Sequence, residues 1–118
     1  MISRRRARRR GLRAETLCCW WLRLKGYAIV ARQYRTPLGE LDIVARRGGM
    51  LAFIEVKARD TLADAAYAIT PRQQVRIVRA AEAFRKRHPA LAELQPRFDA
   101  MLVMPRRPPR HIMNAWQS

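Results

Sequence analysis

Asp42, Glu55 and Lys57 are the residues of this sequence whose types and spacing point most directly to chemistry. They lie in GELDIVARRGGMLAFIEVKAR, Gly39 to Arg59, which otherwise reads as two apolar strands around a tight turn. Side chains alternate along a strand, so Glu55 and Lys57 point to one face, roughly 7 Å apart. Leu51 and Phe53 share that face, and Ile54 and Val56 take the other. On the preceding strand the same rule groups Glu40, Asp42 and Val44. A hairpin at Arg46–Gly49 can set Asp42 across from Glu55. Two carboxylates held together repel, and one is driven to bind a proton. A hard divalent cation, Mg²⁺ or Mn²⁺, removes the conflict. Mg²⁺ takes one or two carboxylates, waters and a substrate phosphate, and the Val56 carbonyl is available as a further ligand. Such a cation polarises a phosphoryl oxygen and lowers the pKa of bound water. Lys57 beside it would orient the nucleophile or offset charge developing on phosphate. The set is a phosphodiester-hydrolysis constellation.

The competing reading is a cross-strand ion pair on a solvated sheet face, because acid-x-Lys triplets also arise by chance. Three features weigh against it: the strands are otherwise apolar, acids are few, and the net charge favours phosphate. Lys plus Arg total 25 against 9 acids, a formal charge of +16. Folding does not need that excess, since self-repulsion opposes compaction. A polyanionic partner accounts for it, nucleic acid first and an anionic membrane surface second.

The length of 118 residues suits one domain with one modest core. Residues 1–10 are Arg-rich and read as a flexible basic arm or the start of a helix, leaving 11–118 as the domain. Cys18 and Cys19 are adjacent, with no second pair for a disulfide framework. The only histidines, His88 and His111, lack zinc spacing. Glu15, Arg23 and Lys25 interrupt the apolar part of the N-terminal region, so neither a signal peptide nor a membrane span is read there. The expectation is a soluble cytoplasmic protein without a membrane partner.

The elements that must position the acids follow from periodicity. Leu12 to about Lys25 is helical, with Leu17, Trp21 and Leu24 as its apolar stripe, widened by Ala14, Cys18 and Leu22. Gly26 stops it, and Glu15 sits in its first turns, where the dipole favours an acid. Tyr27–Arg35, the ELDIVAR segment and MLAFIEVKAR are strands. Residues 60–69 form a loop or short helix. Thr70-Pro71-Arg72-Gln73 starts a second helix, with Thr70 as cap and Gln73 completing a capping box. That helix runs to about His88, burying Val75, Val78 and Ala81 with Ile77 and Phe84. RFDAMLVM is a further strand, and HIMNAWQS a last strand or turn. The class is α/β, a mixed sheet flanked by helices.

Several basic and aromatic residues lie near these motifs. Arg46, Arg47 and Arg59 would form a positive rim for a phosphate backbone, or Arg46 and Arg47 are a merely solvated hairpin end. Arg72, Arg76 and Arg79 share a helix side that is either DNA-facing or simply solvated. Trp21 reads as core, and Trp20, rotated off the stripe, reads as partner surface.

GELDIVARRGGMLAFIEVKAR resembles the signature of the YraN family of uncharacterised bacterial proteins. GLRAE, FIEVKAR, TPRQQ, RFD and NAW follow in family order, so the resemblance covers about residues 11–117. That family in turn resembles the PD-(D/E)xK restriction-endonuclease-like superfamily, and within it archaeal Holliday-junction resolvases. The resemblance implies a core of helix, three-stranded meander, helix and strand. It implies Asp42 and Glu55 as metal ligands, Lys57 as catalytic lysine and Glu15 as a helix acid approaching the same centre. Glu40 becomes an outer ligand or ion-pair partner. Gln73 stands where close relatives often carry Lys, so its capping role suffices, and Arg97 and Asp99 are structural, such as a salt bridge at the sheet edge. A homodimer is also implied. The functional expectation is a Mg²⁺-dependent endonuclease-like protein acting on DNA, structured or branched DNA included. The alternatives are a nucleic-acid-binding accessory protein on the same fold, or an RNA- or ribosome-associated basic protein.

Overall fold

The structure, a computed structural model, describes residues 4–118, with side chains from residue 8 onward. The first helix, α1, spans Arg4–Leu24. It begins earlier than the apolar stripe predicts because Arg and Ala are strong helix formers, and Gly11 in its interior costs only about 1 kcal/mol. Residues 4–10 of the basic segment are therefore helical, and residues 1–3 lie outside the described residues. Strands β1 (Ala28–Thr36), β2 (Gly39–Arg47) and β3 (Met50–Ala58) follow as a meander, then α2 (Leu62–Tyr67) and α3 (Pro71–Arg87). A short 3₁₀ turn at Pro89–Leu91 leads to β4 (Gln95–Val103) and β5 (Arg110–Trp116). The sheet order is β1-β2-β3-β4-β5. All neighbours are antiparallel except β3 and β4, which run parallel across the α2–α3 crossover. This is the α/β architecture of a restriction-endonuclease-like core, with β5 added at one edge.

Each face of the sheet carries its own core. On one, Cys18, Cys19 and Leu22 of α1 pack on Ile43, Ala45, Ala52, Ile54 and Met101. On the other, Ile77, Ala81 and Phe84 of α3 pack on Leu41, Val44, Leu51, Phe53 and Leu102. Both helix stripes are rotated from the predicted ones. On α1 the small Cys18 and Cys19 allow close approach to the sheet, so Leu17 and Leu24 stay exposed. On α3 Ala80 and Ala81 do the same, so Val75 is exposed and Val78 only half-buried. The predicted faces of β3 hold, with Leu51 and Phe53 toward α3 and Ile54 and Val56 toward α1.

β2 departs from strict alternation. Leu41 and Val44 both face α3 while Ile43 faces α1. The break falls at Asp42, which pairs in neither ladder. Opposite it, Gln33 of β1 takes a positive φ of 48°, a conformation that costs a non-glycine residue about 1 kcal/mol or more.

The RFD motif is structural, as expected, but it is buried rather than placed at the sheet edge. Asp99 is fully buried. Arg97 clasps it with two hydrogen bonds, 2.8 and 2.7 Å, and His111 Nε2 and the Asn114 backbone N–H donate at 2.8 and 3.0 Å. Arg97 also donates to the Tyr27 hydroxyl at 2.6 Å. Asp99 thereby fastens the edge strand β5 to the start of β1. Burial alone would raise its pKa, but the bonds from His111, Arg97 and Asn114 outweigh burial and hold it below the ordinary value. A depressed carboxylate contributes stability that is present above the unfolded pKa and lost as pH falls through the folded one. Asp99→Asn leaves Arg97 half-buried without its anion, and a loss of about 3–5 kcal/mol is expected. Urea unfolding at neutral pH checks the loss. The difference from wild type should shrink as pH falls below about 4, the ordinary Asp value, and through the lower pKa of the folded state.

Candidate active site

A cleft of about 370 Å³ opens where β2 and β3 part, on the face covered by α3. Glu15 reaches it from α1, Asp42 from β2, Glu55 and Lys57 from β3, and Gln73 and Arg76 from α3. The β2–β3 ladder stops at Ile43–Ile54. One step further, Val56 N–H donates to Asp42 Oδ2 at 2.9 Å instead of to a backbone carbonyl. The expected juxtaposition of Asp42 with Glu55 is thus realised through a local opening of the sheet.

The turn before β2 is built to place these residues. Thr36 Oγ1 accepts from the N–H groups of Leu38 and Gly39 at 3.1 Å and donates to the Gly39 carbonyl at 2.8 Å. Gly39 has a φ of 153°, and a Cβ there would stand 3.4 Å from the Arg76 carbonyl oxygen. The positive φ favours glycine here, and α3 packs against it to form the cleft wall.

The acids are strongly perturbed. Burial, then hydrogen bonding to and repulsion from Asp42, push Glu55 up to about 10, with Lys57 opposing. Burial and Asp42 push Glu15 up to about 7, against the pull of Arg32. Arg32 Nε stands 3.8 Å from Glu15 Oε1, too far for a hydrogen bond, and that buried oxygen has no hydrogen-bond partner. Among the described residues, no three His, Cys, Asp or Glu side chains form a ready metal cage. The donor set nevertheless fits a hard divalent cation with a sparse protein shell. It offers carboxylate oxygens in mutual repulsion, one of them orphaned, with room left for waters and phosphate.

Lys57 is held from above. With its amide turned to satisfy both neighbours, Gln73 accepts from Lys57 Nζ at 3.0 Å and donates to the Ala68 carbonyl at 3.1 Å. Only half of the predicted capping box forms: Thr70 Oγ1 accepts from Gln73 N–H at 3.2 Å, and the Gln73 side chain turns into the cleft. Glu40 is exposed and 3.6 Å from Arg35, an ion-pair partner at the rim.

The basic residues divide. Arg76 lines the cleft, Arg59 follows β3 at the same end, and Arg72 is exposed in the first turn of α3. Arg46 and Arg47 do not flank the acids. They occupy the opposite end of β2, about 13–17 Å along the strand from Asp42, where Arg47 lies 5.6 Å over the Tyr27 ring. The Gly48-Gly49 hairpin that aligns the strands necessarily carries its arginines away from the cleft.

The sequence pattern of the uncharacterised protein family UPF0102 matches residues 14–103. A UPF0102 protein of Rhodopseudomonas palustris (strain BisA53) is 57% identical over 110 residues, covering 93% of this chain and 85% of the relative. One from Bradyrhizobium diazoefficiens is 54% identical over 110 residues, with 93% and 83% covered. One from Nitrobacter winogradskyi is 55% identical over 108 residues, with 92% of each covered. The family is YraN-like, in agreement with the motif order.

The raised acids make a signed prediction. Between its unfolded and folded pKa values, a raised carboxyl binds more protons in the folded state, so stability falls as pH rises. Without metal, thermal stability should decline from about pH 4.5 upward, through about 7 for Glu15 and toward 10 for Glu55. Glu55→Gln should flatten the upper part of that decline and raise the melting temperature at alkaline pH. A parallel decline in variant and wild type would refute the assignment.

Proposed function

The chain belongs to the uncharacterised protein family UPF0102, and we propose that it is a divalent-cation-dependent, endonuclease-like phosphodiesterase acting on DNA, structured or branched DNA included. The observation that carries this reading is the convergence of Glu15, Asp42, Glu55 and Lys57 in one cleft of a chain with net charge +16. A structural ion pair would set Lys57 against a carboxylate. Among the described residues no salt bridge joins Lys57 to Asp42 or Glu55, and Glu55 has Asp42 and Glu15 as its other charged neighbours.

Asp42 and Glu55 are the residues that would hold Mg²⁺ or Mn²⁺, and Glu15, which lines the same cleft, would approach the centre from α1. When bound, the cation offsets the carboxylate charge, polarises a phosphoryl oxygen and acidifies water. The chain supplies the rest. Lys57 orients the attacking water and offsets negative charge as it builds on the phosphoryl oxygens. Gln73 fixes the Lys57 ammonium, and such positioning carries a large share of catalysis in a displacement of this kind. Arg76, with Arg59 and Arg72 nearby, meets flanking phosphates. Arg46 and Arg47 serve only a substrate long enough to reach the far end of the hairpin. A cytoplasmic setting belongs to this reading, since Cys18 and Cys19 are both free. So does a homodimer, which would present two clefts to one DNA.

Titration with Mg²⁺ or Mn²⁺ should raise thermal stability, by about 2.7 kcal/mol at a hundredfold excess over Kd. Asp42→Asn/Glu55→Gln should abolish that response. Incubation with linear, single-stranded, flapped and four-way DNA plus Mn²⁺ should yield cleavage. Lys57→Met should slow it by about 10²–10³-fold with DNA binding retained. Absence of cleavage with salt-dependent DNA binding intact would replace the enzyme by a binding protein on the same fold. Preferential binding to structured RNA would point to a ribosome- or RNA-associated role.

A further inference from the structure

The face of α1 turned away from the sheet carries side chains that the cleft does not use. Arg9, Arg13, Leu17, Trp20 and Leu24 recur at helical spacing and form one stripe. It is about 22 Å long at 1.5 Å per residue. Arg9 and Arg13 are exposed, as are Leu17 at 42%, Trp20 at 60% and Leu24 at 81%. Single apolar residues on a surface need no account, but a continuous line of them does. The basic half of the stripe borders a groove of about 540 Å³ between α1 and the C-terminal ends of β3 and β4. Leu17, Ala58, Val103, Met104 and Pro105 give the groove an apolar lining. Arg10 is paired with Asp60 at 2.9 Å, whereas among the described residues Arg9 and Arg13 have no carboxylate partner.

Guanidinium groups beside an exposed indole suit a strand with unpaired bases, which offers phosphates to one and a π-face to the other. We propose that this stripe and groove are a track for single-stranded DNA, with phosphates on Arg9 and Arg13 and a base stacked on Trp20. Arg23, 5.0 Å from the Trp20 ring centroid, adds a cation at the stacking position. The groove is concave, so a strand can enter it where a planar bilayer cannot. A second copy of this chain would bring like charges against Arg9 and Arg13. The Leu17, Ala58, Val103 and Pro105 side chains of the groove carry no polar group for a ribose 2′-hydroxyl, by which proteins tell RNA from DNA, and the arginines are committed to phosphates in this arrangement. The track rests on the proposed action on DNA and extends it to substrates that present an unpaired strand. Ala58 directly follows Lys57, so groove and cleft open on opposite faces at the same end of β3.

Binding in EDTA separates this proposal from cleavage. Fluorescence anisotropy of labelled oligodeoxythymidine is compared with a duplex and an oligouridine of equal length, and with sedimentation of phosphatidylserine vesicles. The wild type should prefer the single DNA strand. Trp20→Ala should weaken that binding by about 5- to 100-fold, the range for losing one stacked base, and Trp20→Phe should restore most of it. Arg9→Gln/Arg13→Gln should lower the slope of log affinity against log salt by about 1.4, at 0.7 per single-strand contact. Unchanged melting temperatures confirm folding. Unaltered affinity in Trp20→Ala, an unaltered slope, or tighter binding of duplex, RNA or vesicles overturns the track. All variants keep Asp42 and Glu55, so cleavage that persists while single-strand binding fails removes the track alone. Single-strand binding without cleavage removes the enzyme reading alone.

Discussion

A backbone N–H at the end of a β-ladder must find an acceptor or bear the cost of burial without one. In this protein the N–H of Val56 finds the carboxylate of Asp42, 2.9 Å away. The fold around the cleft depends on that substitution of side chain for carbonyl. It lets β2 and β3 separate beyond Ile43–Ile54 without an unsatisfied donor. The Asp42 charge is thereby fixed beside Glu55, and Lys57 remains two residues further along the same face. A hydrogen bond to a charged group contributes about 1.5–3 kcal/mol, enough to hold a bend that plain strand pairing would straighten.

The distribution of acids has the same logic. In a chain with 25 Lys and Arg and only 9 acids, basic partners are plentiful. Asp99, Asp60 and Glu40 take them, at 2.7, 2.9 and 3.6 Å. Glu15, Asp42 and Glu55 instead share one cleft, where among the described residues the one arginine ion pair is the long 3.8 Å approach of Arg32 to Glu15. Burial and mutual repulsion then raise Glu15 and Glu55 above the usual carboxylate range. Stability alone would favour pairing these acids or removing them. Keeping them together is coherent if a cation joins them, because perturbed groups of this kind concentrate where chemistry is done.

Much of this was legible in the sequence because it follows from local rules. The period of two along MLAFIEVKAR assigned the faces of β3, and the glycines at 48 and 49 located the hairpin. Thr70 and Pro71 marked the start of α3 to the residue. The losses arose where tertiary packing overrides such rules. Strict alternation gave Asp42 the same face as Val44 without the break beside it, since such a break has no signature in LDIV. The helix stripes were rotated because the small residues Cys18, Cys19, Ala80 and Ala81, rather than the largest apolar ones, decide how close each helix comes. Arg46 and Arg47 are near Asp42 in number but lie at the other end of a rigid strand. The side chain of Gln73 was assigned to its own helix because the competing partner, Lys57, is remote in sequence.

That last contact links the start of α3 to the chemistry. The Thr70 hydroxyl accepts from the Gln73 N–H, while the Gln73 side chain turns toward Lys57 and Ala68 instead of back to the Thr70 N–H. The next turn of the same helix brings Arg76 against Gly39, whose φ of 153° favours glycine there. One helix start therefore sets both the reach of Lys57 and the wall beside Asp42. Where a relative carries Lys in place of Gln73, the second ammonium would repel Lys57 instead of accepting its proton. With glutamine, Lys57 is oriented by a neutral acceptor. The arrangement concentrates positive charge on a single, positioned group opposite the carboxylates. That is the polarity required for a phosphate to sit between them.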